Sequence, residues 1–144
     1  MSETPLRLSA RDAEDLQVIA AILQDAIAPH CDMLYRPAEK SFVMVVHRFC
    51  WDDVEEAEAE TPPCFERVHC ALEIEGVEGV QQHGFDHAKD CGMLDLLTIM
   101  LEKGSLHIIF AGGAQLRLKL GNWRLRIEDF GEPWPTVRQP HHPA

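Results

Sequence analysis

Three potential metal ligands, His83, His87 and Cys91, recur at intervals of four residues. On a helix they would lie along one face, and imidazole and thiolate groups are common zinc ligands. Gly84 and Gly92 disfavour a helix in this segment, however. The segment also lacks the Cys-x-x-Cys and His-Glu-x-x-His spacings of zinc motifs. A small metal-dependent enzyme with a His/Cys site is therefore the alternative hypothesis for this chain, not the first one.

A set of basic residues near the C-terminus is the more unusual feature: Arg117, Lys119, Arg124 and Arg126. A two-residue hairpin turn at Gly121-Asn122 would put all four on one face of a sheet. Lys119 would then lie opposite Arg124, and Arg117 opposite Arg126, with His107 beside Arg117 on the next strand. Like charges directly opposite each other destabilise a sheet. The sequence therefore predicts an anionic partner for this cationic sheet face.

Three kinds of anionic partner fit such a face. The first is the chain itself, through Glu128 or an acidic loop at residues 52–60. The second is an acidic protein surface, either of another protein or of a second copy in a homo-oligomer. The third is a small ligand whose phosphate or carboxylate is held by guanidinium groups. Thr98, Met100 and Ile109 should share the face, which favours a subunit or domain contact over a bare solvated sheet.

Composition excludes several classes of protein. The chain has 144 residues, which suits a single domain, and a formal net charge of −11. That charge disfavours binding to nucleic acid or to an anionic membrane. The first residues lack the basic and apolar pattern of a targeting segment, so we expect none, and no apolar stretch reaches the roughly 18 residues of a membrane span. Five cysteines, an odd number in a chain that is not cysteine-rich, indicate reduced thiols and a cytoplasmic location.

No standard catalytic or cofactor motif occurs in the sequence. A Gly-x-Gly-x-x-Gly fingerprint, a Walker-type phosphate loop and a Gly-x-Ser-x-Gly elbow are all missing. We therefore expect no cofactor and assign no catalytic residue. Trp134, between Pro133 and Pro135, is either an anchor for a partner or a side chain that folds back on its own sheet.

The elements that would position these residues begin with one helix. Apolar residues from Leu16 to Ile27 recur at helical spacing, which predicts a helix over residues 10–27 that Pro29 ends. Alternation and turn residues then predict strands at residues 33–36, 41–51 and 68–75, the last extending to 82. Residues 41–51 are apolar on both faces and are expected to form a central strand.

Turn geometry makes the last third more specific. A two-residue turn at Lys103-Gly104 would set Leu101 opposite Leu106 and Ile99 opposite Ile108. A three-residue loop over 111–113 would keep the apolar side chains of both flanking strands on one face. Together with the turn at 121–122, this predicts a four-stranded meander over residues 94–129. Residues 131–144 should form an extended tail.

Several segments resemble a family of bacterial proteins catalogued as domain of unknown function 2948. They are residues 6–10 with 12–16, 32–35, 110–113, and 126–131 with Pro133 and Trp134. The resemblance covers nearly the whole chain and implies a bacterial cytosolic protein. It brings no activity, cofactor or catalytic residue, and none of these segments contains a cysteine or a histidine.

These observations predict an α+β domain over residues 1–144, with an N-terminal helix packed on about seven antiparallel strands. The sheet should be a partly closed barrel or two packed sheets. A pleckstrin-homology-like barrel has a similar strand count, although its helix would normally follow the strands. We expect a non-catalytic binding or assembly module that uses the face of Arg117, Lys119, Arg124, Arg126 and His107.

Overall fold

The computed structural model of the protein describes residues 5–50, 65–85 and 92–136. One α-helix and eight strands occupy these residues, and every strand pairing is antiparallel. The elements in chain order are β1 (Arg7–Ala10), α1 (Ala13–Ile22), β2 (Ile27–Pro29), β3 (Met33–Arg36), β4 (Ser41–Phe49), β5 (Phe65–His83), β6 (Met93–Glu102), β7 (Ser105–Phe110) and β8 (Gln115–Thr136). The predicted combination of one helix with a mostly antiparallel sheet is confirmed.

The sheet closes on itself as a ring. Its strand order is β1-β8-β5-β4-β2-β6-β7, and β7 also pairs with β8. The ring is not a regular barrel, because β1 and β3 pair with β8 and β4 outside it. β4 is central as predicted, since β5 lies on one side of it and β2 and β3 lie on the other.

A single apolar core fills the ring. Inward-facing side chains from β4 to β8 meet the buried stripe of α1, and the fully or almost fully buried members include Leu16, Ile19, Met44, Leu72, Ile74, Leu96, Leu106, Ile108, Phe110 and Leu116. Close packing of such side chains is the main stabilising contribution in a domain of this size. The opposite faces of the strands are left to carry polar and charged side chains.

The helix is shorter than its periodicity predicts. Asp12 is the N-cap, and its side chain accepts a hydrogen bond of 2.8 Å from the Asp15 amide. Ala10, the first residue of the predicted helix, ends β1 instead and pairs with Leu125 of β8. Ile27 pairs with β4 and β6 instead of extending it. Within the described ranges, no helix has the length and apolar character needed to cross a membrane.

The two short-range connections of the last third are confirmed. Leu101 lies opposite Leu106 across the turn at 103–104. A three-residue loop, Ala111–Gly113, separates Phe110 from Ala114, and the Phe110 amide donates a hydrogen bond of 2.9 Å to the Ala114 carbonyl. The two glycines in the loop have φ values of 80° and 88°. Glycine adopts this left-handed conformation without the steric cost of a Cβ.

The predicted hairpin at Gly121-Asn122 is wrong. β8 is one 22-residue strand that continues through these residues, so the meander has three strands instead of four. β5 is 19 residues long and pairs with both halves of β8. The register between the two strands shifts on both sides of Val77. A continuous partner strand therefore replaces the turn that the local sequence suggested.

The cysteines are only partly as predicted. Cys70 is a buried free thiol, in agreement with the expectation of reduced cysteines. Cys31 is disulfide-bonded, so that expectation is wrong for this residue. Cys64 and Cys91 lie outside the described residues.

Candidate functional site

The outward face of the first half of β8 carries the first two predicted basic residues. Arg117 and Lys119 are exposed and alternate with the buried Leu116, Leu118 and Leu120. The alternation follows from the two-residue period of a strand whose other face covers the core. The predicted outward position of these two cations is confirmed.

Their neighbours come from β7 and β5. His107 lies opposite Arg117 on β7, as predicted, and Gln81 lies opposite it on β5. Lys119 lies between Ser105 and Gly79 in the same way. Since Gly79 has no side chain, the sheet surface next to Lys119 is open on that side.

The predicted cross-strand pairs between the basic residues do not exist. All four lie along one strand, so Lys119 is not opposite Arg124 and Arg117 is not opposite Arg126. The continuous course of β8 is the reason, because the two halves of the strand follow each other instead of folding back. The predicted cationic face is thus divided into two separate regions.

Arg124 and Arg126 form the first region and are neutralised by β5. Arg126 lies opposite Glu73 and donates hydrogen bonds to Glu73 and to Glu75, the latter at 3.2 Å. Arg124 lies opposite Glu75, with 3.9 Å between its Nε and a carboxylate oxygen. The hydrogen bond from Arg126 to Glu73, together with the negative charge of that carboxylate, raises the pKa of Arg126. The chain therefore supplies the anionic partner here through β5, whereas the predicted acidic loop at 52–60 lies outside the described residues.

Arg117 and Lys119 form the second region together with Lys103. These three cations line one groove of about 570 Å³, which we call the cationic groove. Gly79, Gly104, Ser105 and Leu120 are among its other lining residues. Across residues 5–50, 65–85 and 92–136, no carboxylate forms an ion pair with Lys103, Arg117 or Lys119. The groove thus concentrates positive charge that the described part of the chain leaves unneutralised.

Part of this groove was missed by sequence reasoning. Lys103 and Ser105 belong to the correctly predicted hairpin of β6 and β7, so the same register argument would have placed Ser105 beside Lys119. Gly79 and Gln81 had no such signal. They reach the groove through the pairing of β5 with β8, which sets Gly79 opposite Lys119 and Gln81 opposite Arg117, 40 and 36 positions further along the chain.

The predicted metal site is only partly within the described residues. His83 lies at the end of β5, opposite Gln115. His87 and Cys91 lie outside the described residues, so their proximity to His83 stays a prediction. Within the described ranges, no group of three or more His, Cys, Asp or Glu side chains is placed to hold a metal ion.

A second groove, of about 670 Å³, lies on the outward face of β4, β5, β8 and β1. Its lining includes the apolar side chains of Val43, Val45 and Ala71. The ion pairs Arg7–Glu128 and Arg126–Glu73 border it, and Asp32 is its remaining charged lining residue. This groove therefore has no excess positive charge that would select an anion.

Trp134 packs against its own sheet. Its ring centroid lies 4.7 Å from that of His69 and 5.4 Å from that of His47. The backbone of residues 131–136, the first part of the predicted extended tail, continues β8. Of the two interpretations of Trp134, the structure therefore supports the side chain that folds back.

The fold and the site together define an α+β protein with a closed antiparallel sheet and a cationic groove on its outer face. The chain belongs to the family of proteins of unknown function DUF2948, whose family model matches residues 6–142. The resemblance seen in the sequence is thereby confirmed. No curated protein and no solved structure matches the chain. The pleckstrin-homology-like arrangement stays a prediction.

Proposed function

We propose that this chain is a non-catalytic binding module that holds an anionic group in the cationic groove. The observation that supports this most is the contrast between the two halves of β8. Arg124 and Arg126 have carboxylate partners on β5, whereas Arg117, Lys119 and Lys103 line one groove with no ion pair in the described part of the chain.

Electrostatics supports a binding role for these unpaired cations. Cations that crowd one sheet face repel each other and lower stability unless an anion is bound. The whole chain has 24 acidic residues, yet none of those that the structure describes forms an ion pair with these three cations. An arrangement that leaves three cations together is therefore better explained by an external anion than by folding.

The overall charge also narrows the kind of partner. Nucleic-acid binding depends mainly on many contacts between basic side chains and phosphates, and a chain with 24 acidic and 13 basic residues disfavours it. An acidic protein surface, a second copy of this chain or a small anionic ligand fits a compact groove with three cations. Binding of any of these would neutralise charge locally without requiring a basic protein.

The test compares two variants that each remove two positive charges. R117Q/K119Q changes the cationic groove. R7Q/R11Q changes two exposed cations away from it, Arg7 of β1, which is ion-paired with Glu128, and Arg11, which lies between β1 and α1. Native mass spectrometry would report oligomeric state and co-purified ligands. Binding of phenyl phosphate, benzoate and a hexaglutamate peptide would be measured by ¹H–¹⁵N NMR titration.

We expect R117Q/K119Q to lose a bound mass, an assembly or the binding of at least one probe, and R7Q/R11Q to behave as the wild type. The proposal is contradicted if the wild-type protein is a bare monomer that binds none of the probes. It is also contradicted if both variants lose binding equally, because the effect would then come from net charge alone.

A further inference from the structure

We propose that the cationic groove binds the phosphate group of a small phosphate monoester. This inference rests on the proposed function, because it names the ligand class for the same groove. The cations come from two places in the fold. Lys103 belongs to the turn between β6 and β7, and Arg117 and Lys119 project from β8. An anion in the groove is thus approached by positive charge from two walls.

The number of donors favours phosphate over carboxylate. A phosphate monoester carries nearly two negative charges at neutral pH and presents three acceptor oxygens. A carboxylate carries one charge and two oxygens. Arg117 offers a planar fork of N–H groups, and Lys103 and Lys119 each offer an ammonium group. Three cationic donors therefore match the three phosphate oxygens, and a dianion neutralises more of the excess charge.

The dimensions of the groove favour a small molecule over a flat protein surface. Its volume of about 570 Å³ lies within the range of small-molecule sites. Gly79 contributes to this space because it lies directly opposite Lys119 without a side chain. A Cβ at Gly79 would contact the Lys119 Cβ at an ordinary 3.9 Å, so larger side chains are sterically possible at this position. The absence of a side chain at Gly79 thus keeps the groove open.

The neighbouring surface has room for the organic part of such a ligand. His107 lies next to Arg117, and Met100 lies next to His107 on β6. Met100 is 44% exposed, so its side chain is accessible to a ligand. Imidazole rings and flexible thioether side chains make favourable contacts with varied organic groups. Met100 and His107 lie beside the groove and do not line it, so they would contact an organic group only where it extends from the phosphate beyond the groove along this row.

The experiment uses phenyl phosphate and benzoate as matched probes, because they share a phenyl ring and differ in the anionic group. Hexaglutamate represents an acidic protein surface. Binding would be followed at pH 8, where the phosphate is dianionic, by ¹H–¹⁵N NMR titration of the full chain. The variants are R117Q/K119Q, the charge-matched control R7Q/R11Q, and G79V, which narrows the groove without changing charge.

We expect phenyl phosphate to bind at least about tenfold more tightly than benzoate, since one additional charge-assisted contact has this magnitude. Its amide shifts should map to residues 79–81, 103–107 and 117–119. The affinity for phenyl phosphate should fall by about tenfold or more in R117Q/K119Q and in G79V, and it should be unchanged in R7Q/R11Q. Thermal unfolding and the NMR spectrum would establish that G79V is folded. If it is not, R117Q/K119Q alone decides.

The other outcomes separate this inference from the proposed function. Equal affinity for phenyl phosphate and benzoate, lost in R117Q/K119Q, would overturn the phosphate inference and leave the binding module intact. Binding of hexaglutamate alone would overturn it in favour of an acidic protein partner. Binding of no probe by a bare monomer would overturn both proposals.

Discussion

His47 and His69 lie directly opposite each other on β4 and β5, and their rings meet edge to face with centroids 4.9 Å apart. The His69 ring also stacks on Phe130 at 5.4 Å, and Trp134 contacts both histidines. Burial lowers the pKa of His47, and the nearby His69 and Arg67 lower it further, against an opposing effect of Asp32. The surroundings of His47 therefore favour its neutral form over its protonated form.

The lowered pKa of His47 predicts that the protein loses stability in mild acid. The pKa of His47 is lower in the folded protein than the ordinary value of 6.5, so the unfolded chain binds the proton more readily. The stabilisation is fully present above about pH 6.5 and is lost as pH falls towards the folded pKa. Urea unfolding between pH 7.5 and 5.5 should show a smaller decrease in the free energy of unfolding for H47Q than for the wild type.

V45Q is the matched control for this prediction. It introduces the same side chain on the same face of β4, two residues earlier, and keeps the histidine pair. V45Q should retain the wild-type pH dependence whatever its absolute stability. An equal pH dependence in H47Q and wild type would contradict the prediction.

A second prediction concerns the buried ion pair between Arg48 and Asp129. Their side chains are 6% and 9% exposed, and two hydrogen bonds of 2.9 and 2.6 Å join the guanidinium Nε and Nη2 to the two carboxylate oxygens. R48M leaves the buried Asp129 carboxylate without its cationic partner. It should lower the free energy of unfolding, measured with urea, by about 3–5 kcal/mol. The double variant R48M/D129L removes both charges and should be more stable than R48M. A double variant that is less stable than R48M would contradict this reasoning.

A third prediction concerns Gly76, where β5 passes close to β8. Its φ is +83°, and a Cβ there would overlap the backbone oxygen of Asn122. Gly104 has a similar φ of +76° but nothing within 4 Å of a Cβ. G104A therefore has only the conformational cost of a positive φ, and its free energy of unfolding should fall by about 1 kcal/mol. The free energy of unfolding of G76A should fall by clearly more, because the backbone must also shift. Equal losses in chemical denaturation would show that the two strands separate easily at this point.

A fourth prediction concerns the reactivity of Cys70. Burial, with the nearby Asp129 carboxylate, raises the pKa of this thiol to about 12, so almost no thiolate forms near pH 8. Iodoacetamide at pH 8, followed by digestion and mass spectrometry, should leave Cys70 unmodified in the native protein and alkylate it in urea. Native alkylation of Cys70 at the rate seen in urea would contradict the assigned burial.

The sequence alone determined the local features of this fold. The register of Leu101 with Leu106 and the three-residue loop at Ala111–Gly113 depend on turns of a few residues, so side-chain alternation was enough to predict them. The outward positions of Arg117 and Lys119 followed from the same alternation. These features hold because each depends on neighbours close in the chain.

Only the tertiary structure decided which strands are long-range neighbours. The alternation around Gly121 is compatible with a hairpin or with a continuous strand, and the 19-residue β5 selects the continuous strand by pairing along both halves. That pairing places Glu73 and Glu75 beside Arg126 and Arg124, and Gly79 beside Lys119. It also leaves only part of the predicted cationic face unneutralised. The helix is shortened for the same reason, because pairing of residues 7–10 and 27–29 with distant strands overrides a helical periodicity.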